Sequence, residues 1–226
     1  MRPYHQDIYQ LITLLNSNST TGLSAQEVIE RQKKSGRNSI PRKPPQSTFF
    51  IFLYQFQSPL IYILLLAASI IYLVGKRLDA FIISGILLFN AIIGTIQEGR
   101  AQSILESLRH YITSQALVIR NGNHQTIIAE ELVVGDIILV QEGQKIPADA
   151  RIITAHNLLV DEALLTGESR TKKKSDDVLP ANTPLADQRN MLFSGTYSIA
   201  GNAQAIVTAI GTDTQIGTIG KEIEDI

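Results

Sequence analysis

The chain has 226 residues, with 20 basic and 21 acidic side chains and neither cysteine nor tryptophan. A formal charge of −1 argues against a nucleic-acid binder, which would be basic overall. The lack of cysteine excludes a disulfide framework, thiol catalysis and cysteine-ligated metal centres.

The charge is distributed unevenly. Residues 1–48 carry seven basic and three acidic groups, and residues 49–97 carry only Lys76, Arg77 and Asp79. Residues 98–226 hold eleven basic and seventeen acidic groups. An almost uncharged middle between charged ends predicts a membrane anchor with flanks in water.

In chain order, apolar Ile8, Leu11, Ile12, Leu14 and Leu15 predict a helix over 6–15, followed by a turn over 16–22. Ser24 three residues before Glu27 predicts a capped helix that ends near Gly36, with Lys33 and Lys34 favourable in its last turn. Pro41, Pro44 and Pro45 predict a stiff linker. Residues 1–48 therefore read as an N-terminal helical segment.

Residues 49–97 predict a transmembrane hairpin, with spans at about 55–75 and 78–97 joined by a turn at Gly75–Asp79. Arg31, Lys33, Lys34, Arg37, Arg42 and Lys43 precede the first span, and Arg100 and Arg109 follow the second. The positive-inside rule then puts both termini in the cytoplasm. Small and polar residues within the spans, Gly85, Gly94, Ser69, Ser84, Asn90 and Thr95, predict close helix approach and, for Asn90, an interhelical hydrogen bond in preference to an ion path. No carboxylate lies deep in either span, so these helices offer no convincing cation site. Residues 98–115 continue as a polar-faced stalk helix.

From Ala116 the hydrophobic period becomes two. Ala116–Arg120, the turn Asn121-Gly122-Asn123-His124 and a return strand Gln125–Ile128 predict a hairpin. Ile137–Val140, Ala150–Ile153, Leu192–Phe193 and Ala203–Ala209 are further short β runs, so residues 116–226 read as a β domain of six to eight short strands.

The sharpest local pattern is Leu165-Thr166-Gly167-Glu168-Ser169. A glycine beside a carboxylate and two hydroxyls makes a turn with an acid at its tip, and such a Glu can orient and activate a water. By itself the pattern also fits a solvated loop or a helix cap. It stands in an ordered series with Val134-Gly135-Asp136-Ile137, Ile146-Pro147-Ala148-Asp149, Val160-Asp161-Glu162, Phe193-Ser194-Gly195-Thr196 and Gly211–Gly217. Pro147 and Asp149 read as turn-fixing and Asp136 as a turn cap. A metal site built from Asp149, Asp161 and Glu162 is disfavoured, because no ligand spacing supports it. The basic run Arg170–Lys174 reads as a solvated loop in preference to a phosphate-steering one.

The ordered series resembles the actuator domain of P-type ATPases. The apolar segment with Pro59-Leu60, Asn90-Ala91, Gly94 and Gln97-Glu98 resembles the first two spans of the branch that holds calcium and sodium/potassium pumps. Gly22-Leu23-Ser24 and Gly36-Arg37-Asn38 resemble that branch's N-terminal segment. The resemblance implies a mixed fold: N-terminal helices, a two-helix transmembrane hairpin and a small all-β domain of distorted β-roll or jelly-roll-like form. It implies a catalytic loop at Thr166, Gly167, Glu168 and Ser169, with Glu168 activating the water that hydrolyses an aspartyl phosphate. It gives Gly135, Asp136, Pro147, Asp149, Asp161, Glu162 and Gly195 structural roles. It implies no cofactor or metal in this chain, with ATP and Mg2+ used by the complete pump. The implied partners are the lipid bilayer, a phosphorylation domain, further transmembrane helices and a transported cation, at the cell membrane. At Ala163 many relatives have Ser.

The family's phosphorylated Asp-Lys-Thr-Gly-Thr motif does not occur in the sequence, and the chain ends about where a third span is expected. It therefore reads as the front of a pump, unable to hydrolyse ATP unaided. Two alternatives stay open: a non-catalytic membrane protein that binds a pump or another partner through an actuator-like domain, and a product without function.

Overall fold

The computed structural model describes residues 2–40, 47–111, 114–167 and 171–224. Packing divides the chain into two units, Met1–Pro41 with Thr113–Ile226, and Arg42–Ile112.

In the first unit the described residues form seven strands: β1 (Gln115–Arg120), β2 (Asn123–Ile128), β3 (Ile137–Val140), β4 (Asp149–Asp161), β5 (Lys172–Lys173), β6 (Met191–Leu192) and β7 (Tyr197–Ala209). They pair antiparallel in the order β2-β1-β3-β7-β4-β5, with β6 also on β4. The period of two sorts the side chains onto two faces. Val118, Ile138, Ile152, Val160, Ala205 and Val207 enter the main core. Their neighbours Ile119, Ile137 and Ile206 face the other way.

That second face is covered by α1 (Ile8–Leu14), through Leu11 and Ile12. Asp7 caps α1 by accepting from the N–H groups of Tyr9 and Gln10. Helix α2 (Ala25–Ser35) carries the expected capping box between Ser24 and Glu27, and Val28 packs with Leu23 and Val133. The N-terminal helices and the β region thus share one set of cores. Each fully buried aliphatic side chain contributes roughly 1.5–3 kcal/mol, so α1 closes a sheet face that would otherwise be wet. Two short helices complete the unit, α6 (Ala163–Thr166) and α7 (Gln215–Glu224).

The long strands differ from expectation. β4 and β7 run 13 residues each, where the sequence pattern predicts only Ala150–Ile153 and Ala203–Ala209. Their pairing carries several register shifts, and Asn157 sits in the left-handed region at φ 50°. Each shift turns the following side chains over, which erases the alternation that marks a strand.

The second unit is helical: α3 (Thr48–Tyr54), a short turn at Gln55–Gln57, α4 (Pro59–Leu73) and α5 (Arg77–Tyr111). α5 contains one apolar stretch long enough to span a bilayer, Arg77–Leu105, and only 22% of its 18-residue apolar window is buried. That exposure is the opposite of a buried core helix. The other expected span, a single helix over about 55–75, is corrected. The helix is broken at Ser58-Pro59, and Thr48–Gln57 meets Pro59–Leu73 at 72°. Pro59 has no N–H and disfavours the helical region for the residue before it; Ser58 is extended at φ −75°, ψ 133°. With 15 residues, α4 measures about 22 Å, short of the roughly 30 Å hydrocarbon core. The described chain therefore has one clear apolar spanning helix, and a second crossing only if the bent pair acts together. α4 and α5 pack on each other, with Tyr72 and Phe81 meeting edge to face. Gly94 gives α5 a bare spot against the Gln55 side chain. Among the described residues Asn90 makes no interhelical hydrogen bond and is exposed.

Candidate functional site

The site is built around α6. β4 ends at Asp161, whose carboxylate accepts from the Ala163 N–H at 2.9 Å and starts the helical turn. One turn later the Gly167 N–H closes on the Ala163 carbonyl at 2.9 Å. Gly167 has φ 72° and nothing within 4 Å of where a Cβ would stand, so it is the left-handed cap of α6 and faces open space. The backbone of Thr166 is the last residue of α6. Glu168 and Ser169, the other two predicted catalytic residues, lie outside the described residues.

The base of this loop is a buried ion pair. Glu162, 1% exposed, meets Lys174, 4% exposed. The Lys174 ammonium also lies 5.3 Å from the centre of the buried Phe193 ring, a favourable cation–π distance. Burial pushes the Glu162 carboxyl up and the Lys174 ammonium down, and the charge of each partner opposes the shift of the other. This corrects the sequence reading of Arg170–Lys174 as a solvated loop: Lys172–Lys173 form β5 and Lys174 is interior. Three lysines in a row carry no signal that one of them points inward.

Phe193 begins the loop with Ser194, Gly195 and Thr196. The Gly195 N–H donates to the Ile146 carbonyl at 2.9 Å. A Cβ on Gly195 would crowd Ile216 and Leu164, so this glycine lets the loop pass between α6 and α7. Asp149 ties the same loop to α7, accepting from Ser194 N–H at 2.8 Å and Gln215 N–H at 2.7 Å. Burial pushes its carboxyl up to about 6, against those two donors, which pull it down. Pro147 contributes its carbonyl, which accepts from Asn38 at 2.9 Å.

Gly135 and Asp136 lie at a second junction. The Asp136 carboxylate is fully buried, accepts from Val133 N–H and pairs with Arg120 through two bonds of 2.9 and 2.7 Å. It therefore caps a turn, as expected, and also neutralises a buried guanidinium. The Gly135 carbonyl accepts from Ser17, and a Cβ there would collide with the Arg31 guanidinium. Asp149, Asp161 and Glu162 thus serve three different partners, and the described residues contain no group of three His, Asp or Glu side chains able to hold a metal ion.

Two connecting residues escape sequence reasoning. Asn38 donates to the carbonyls of Ala129 and Pro147 and accepts from Gly211 N–H. Fully buried Arg151 donates to the carbonyls of Ile152, Asp176 and Asp177. Burial lowers its guanidinium to about 10, while the carboxylates of Asp176, Asp7 and Asp177 resist that. The only advance signal was for Asn38, which stands in the quoted Gly36-Arg37-Asn38 motif.

The comparison with known families matches this architecture. Residues 110–224 match the model for the P-type ATPase actuator domain. This chain belongs to the P-type ATPase family. Residues 3–71 match the model for the cation transporter/ATPase N-terminus. A cation-transporting ATPase of Synechocystis is 37% identical over 98% of the chain and 24% of its own length. Calcium-transporting ATPase 1 of Lactococcus lactis is 38% identical over 99% of the chain and 25% of its own length. A probable cation-transporting ATPase of Mycobacterium bovis is 40% identical over 94% of the chain and 24% of its own length. The chain thus spans about a quarter of the length of these relatives.

Proposed function

We propose that the chain is the N-terminal part of an ATP-driven cation pump, and that its 116–226 region acts as the actuator that hydrolyses an aspartyl phosphate held elsewhere in the pump. Residues 1–48 serve as its N-terminal segment. Two crossings, the bent Thr48–Leu73 pair and α5, anchor it in the cell membrane, and residues 98–115 act as a stalk. The basic residues flanking both crossings support cytoplasmic termini.

The observation that carries the reading is the presentation of Thr166 and Gly167 on a one-turn helix whose start is held by Asp161 and whose base is a buried ion pair. Glu168 follows this turn directly in the chain. In the proposed step a water oxygen attacks phosphorus and Glu168 takes its proton. The bond from phosphorus to the aspartyl oxygen breaks, releasing inorganic phosphate and a free carboxylate. Catalysis of this kind depends on in-line placement. ATP and Mg2+ are used by the complete pump, with the phosphorylation domain, the remaining helices and the transported cation as partners.

The test uses native membranes. An antibody to 116–226 should detect a polypeptide several times longer than this chain, by analogy with the relatives. In that pump Glu168→Ala should still form phosphoenzyme from ATP but dephosphorylate about 100-fold more slowly or less. Dephosphorylation at the normal rate would remove Glu168 from the role. A polypeptide no longer than this chain would favour the non-catalytic, partner-binding alternative.

A further inference from the structure

The segment that carries the proposed catalytic loop leaves the sheet after Asp161 and rejoins it at Lys172. Its two ends are joined three ways. β5 pairs with β4 through Lys172 opposite Val160 and Lys173 opposite Leu159. The Lys174 N–H donates to the Leu158 carbonyl at 3.0 Å. The side chains of Glu162 and Lys174 form the buried ion pair. The first two are backbone bonds between extended strands and constrain the ends only as a ladder does. The third is made by side chains, and it extends inward to Phe193 and to the Gln188 carbonyl at 3.4 Å. Phe193 in turn begins the loop whose Gly195 faces Leu164 of α6. Lys174 thereby connects the floor beneath α6 to the residue that starts α6.

A buried ion pair is weak as a source of stability, because desolvation offsets the Coulomb attraction, but it enforces one geometry. We propose that the Glu162–Lys174 pair holds the turn Ala163–Gly167, the described segment that leads into Glu168, in one geometry, making Lys174 and Glu162 positioning residues for the hydrolysis step. This rests on the reading of Glu168 given above. It assigns Lys174 a job that composition hides and that leaves the formation of the phosphoenzyme untouched.

The experiment has two arms. In the 226-residue chain in lipid nanodiscs, Lys174→Met and Glu162→Gln should speed hydrogen exchange over 163–173 roughly tenfold, while β1 and β3 exchange as in the parent. In the complete pump, Lys174→Met should slow dephosphorylation roughly tenfold while phosphorylation by ATP changes less than about twofold. Lys174→Arg, which keeps the charge, should recover most of the rate. Where Lys174→Met fails to fold, the Glu162→Gln/Lys174→Met double variant, which leaves no lone buried charge, takes its place with the same expectations. Unchanged exchange over 163–173, or phosphorylation and dephosphorylation falling in parallel, overturns the proposal. Normal dephosphorylation in Glu168→Ala overturns the functional reading instead, and the exchange arm still decides whether the pair orders the loop.

Discussion

The two units differ in how far their polar side chains reach. In the helical unit, Ser69, Ser84, Thr95, Gln102 and Ser107 each bond to a residue four positions back on the same helix. The β unit has such local bonds too, as from Thr13 to Tyr9 and from Thr218 to Thr214, but it adds bonds that cross the chain: Arg31 reaches Val134, Asn38 reaches Pro147 and Gly211, and Asn190 reaches Tyr4, 186 residues away. Within an apolar span no water is at hand, so for Ser69 and Ser84 the nearest backbone carbonyl is the ready partner. A curled set of loops around a sheet has many buried carbonyls and few regular donors, so long polar side chains must travel to meet them. The difference predicts where the molecule is fragile.

The largest effect should come from Arg151. Arg151→Met keeps much of the side-chain volume but strands the carbonyls of Ile152, Asp176 and Asp177. It should destabilise the β unit by about 2–4 kcal/mol, read as faster hydrogen exchange throughout β4 and β7 with α5 unaffected. Equal loss in both units would erase the contrast between them.

A middle-sized effect should follow pH. Burial raises the Asp149 carboxyl to about 6, well above its ordinary value near 3.8, so the folded state holds that proton more tightly than the unfolded one. Its contribution to stability is full below about pH 4 and is lost as pH rises through about 6. Thermal melts of the β unit should therefore fall across that window. Asp149→Asn should flatten the fall without abolishing it, because the Glu162 carboxyl is also raised. A slope identical to the parent would mean that Asp149 titrates normally.

The smallest effects belong to the helical unit. Ser69→Ala and Ser84→Ala each delete one bond to the same helix and should change stability by less than about 0.5 kcal/mol. A cost well above about 1 kcal/mol in detergent melts would reveal a partner beyond the helix's own backbone.

This contrast also explains what could be read in advance. The capping box at Ser24 and Glu27, the β1–β2 hairpin and the apolar stretch of α5 are local patterns, and each stands where its residues point. The break at Ser58-Pro59 was readable in principle, since Pro59 carries it, but an unbroken apolar run masks a change of direction. The extra lengths of β4 and β7 were hidden because each register shift resets the alternation. Of the candidate site, the positions Asp136, Asp149, Asp161 and Gly195 stood out in contiguous motifs, yet the partners they meet, Arg120, Gln215, Ala163 and Ile146, were not deducible from spacing.

The sequence by itself determined the order of the units, the membrane character of the middle, the family and the position of the loop at Thr166–Ser169. These follow from periodicity, composition and contiguous motifs, all of which act over a few residues. Only the tertiary structure decided that α1 covers one face of the sheet, that Asn38 and Arg151 bind distant loops, and that Lys174 turns inward to Glu162. Those choices depend on which buried charge or carbonyl lacks a partner once the chain has folded, and that need exists only in three dimensions.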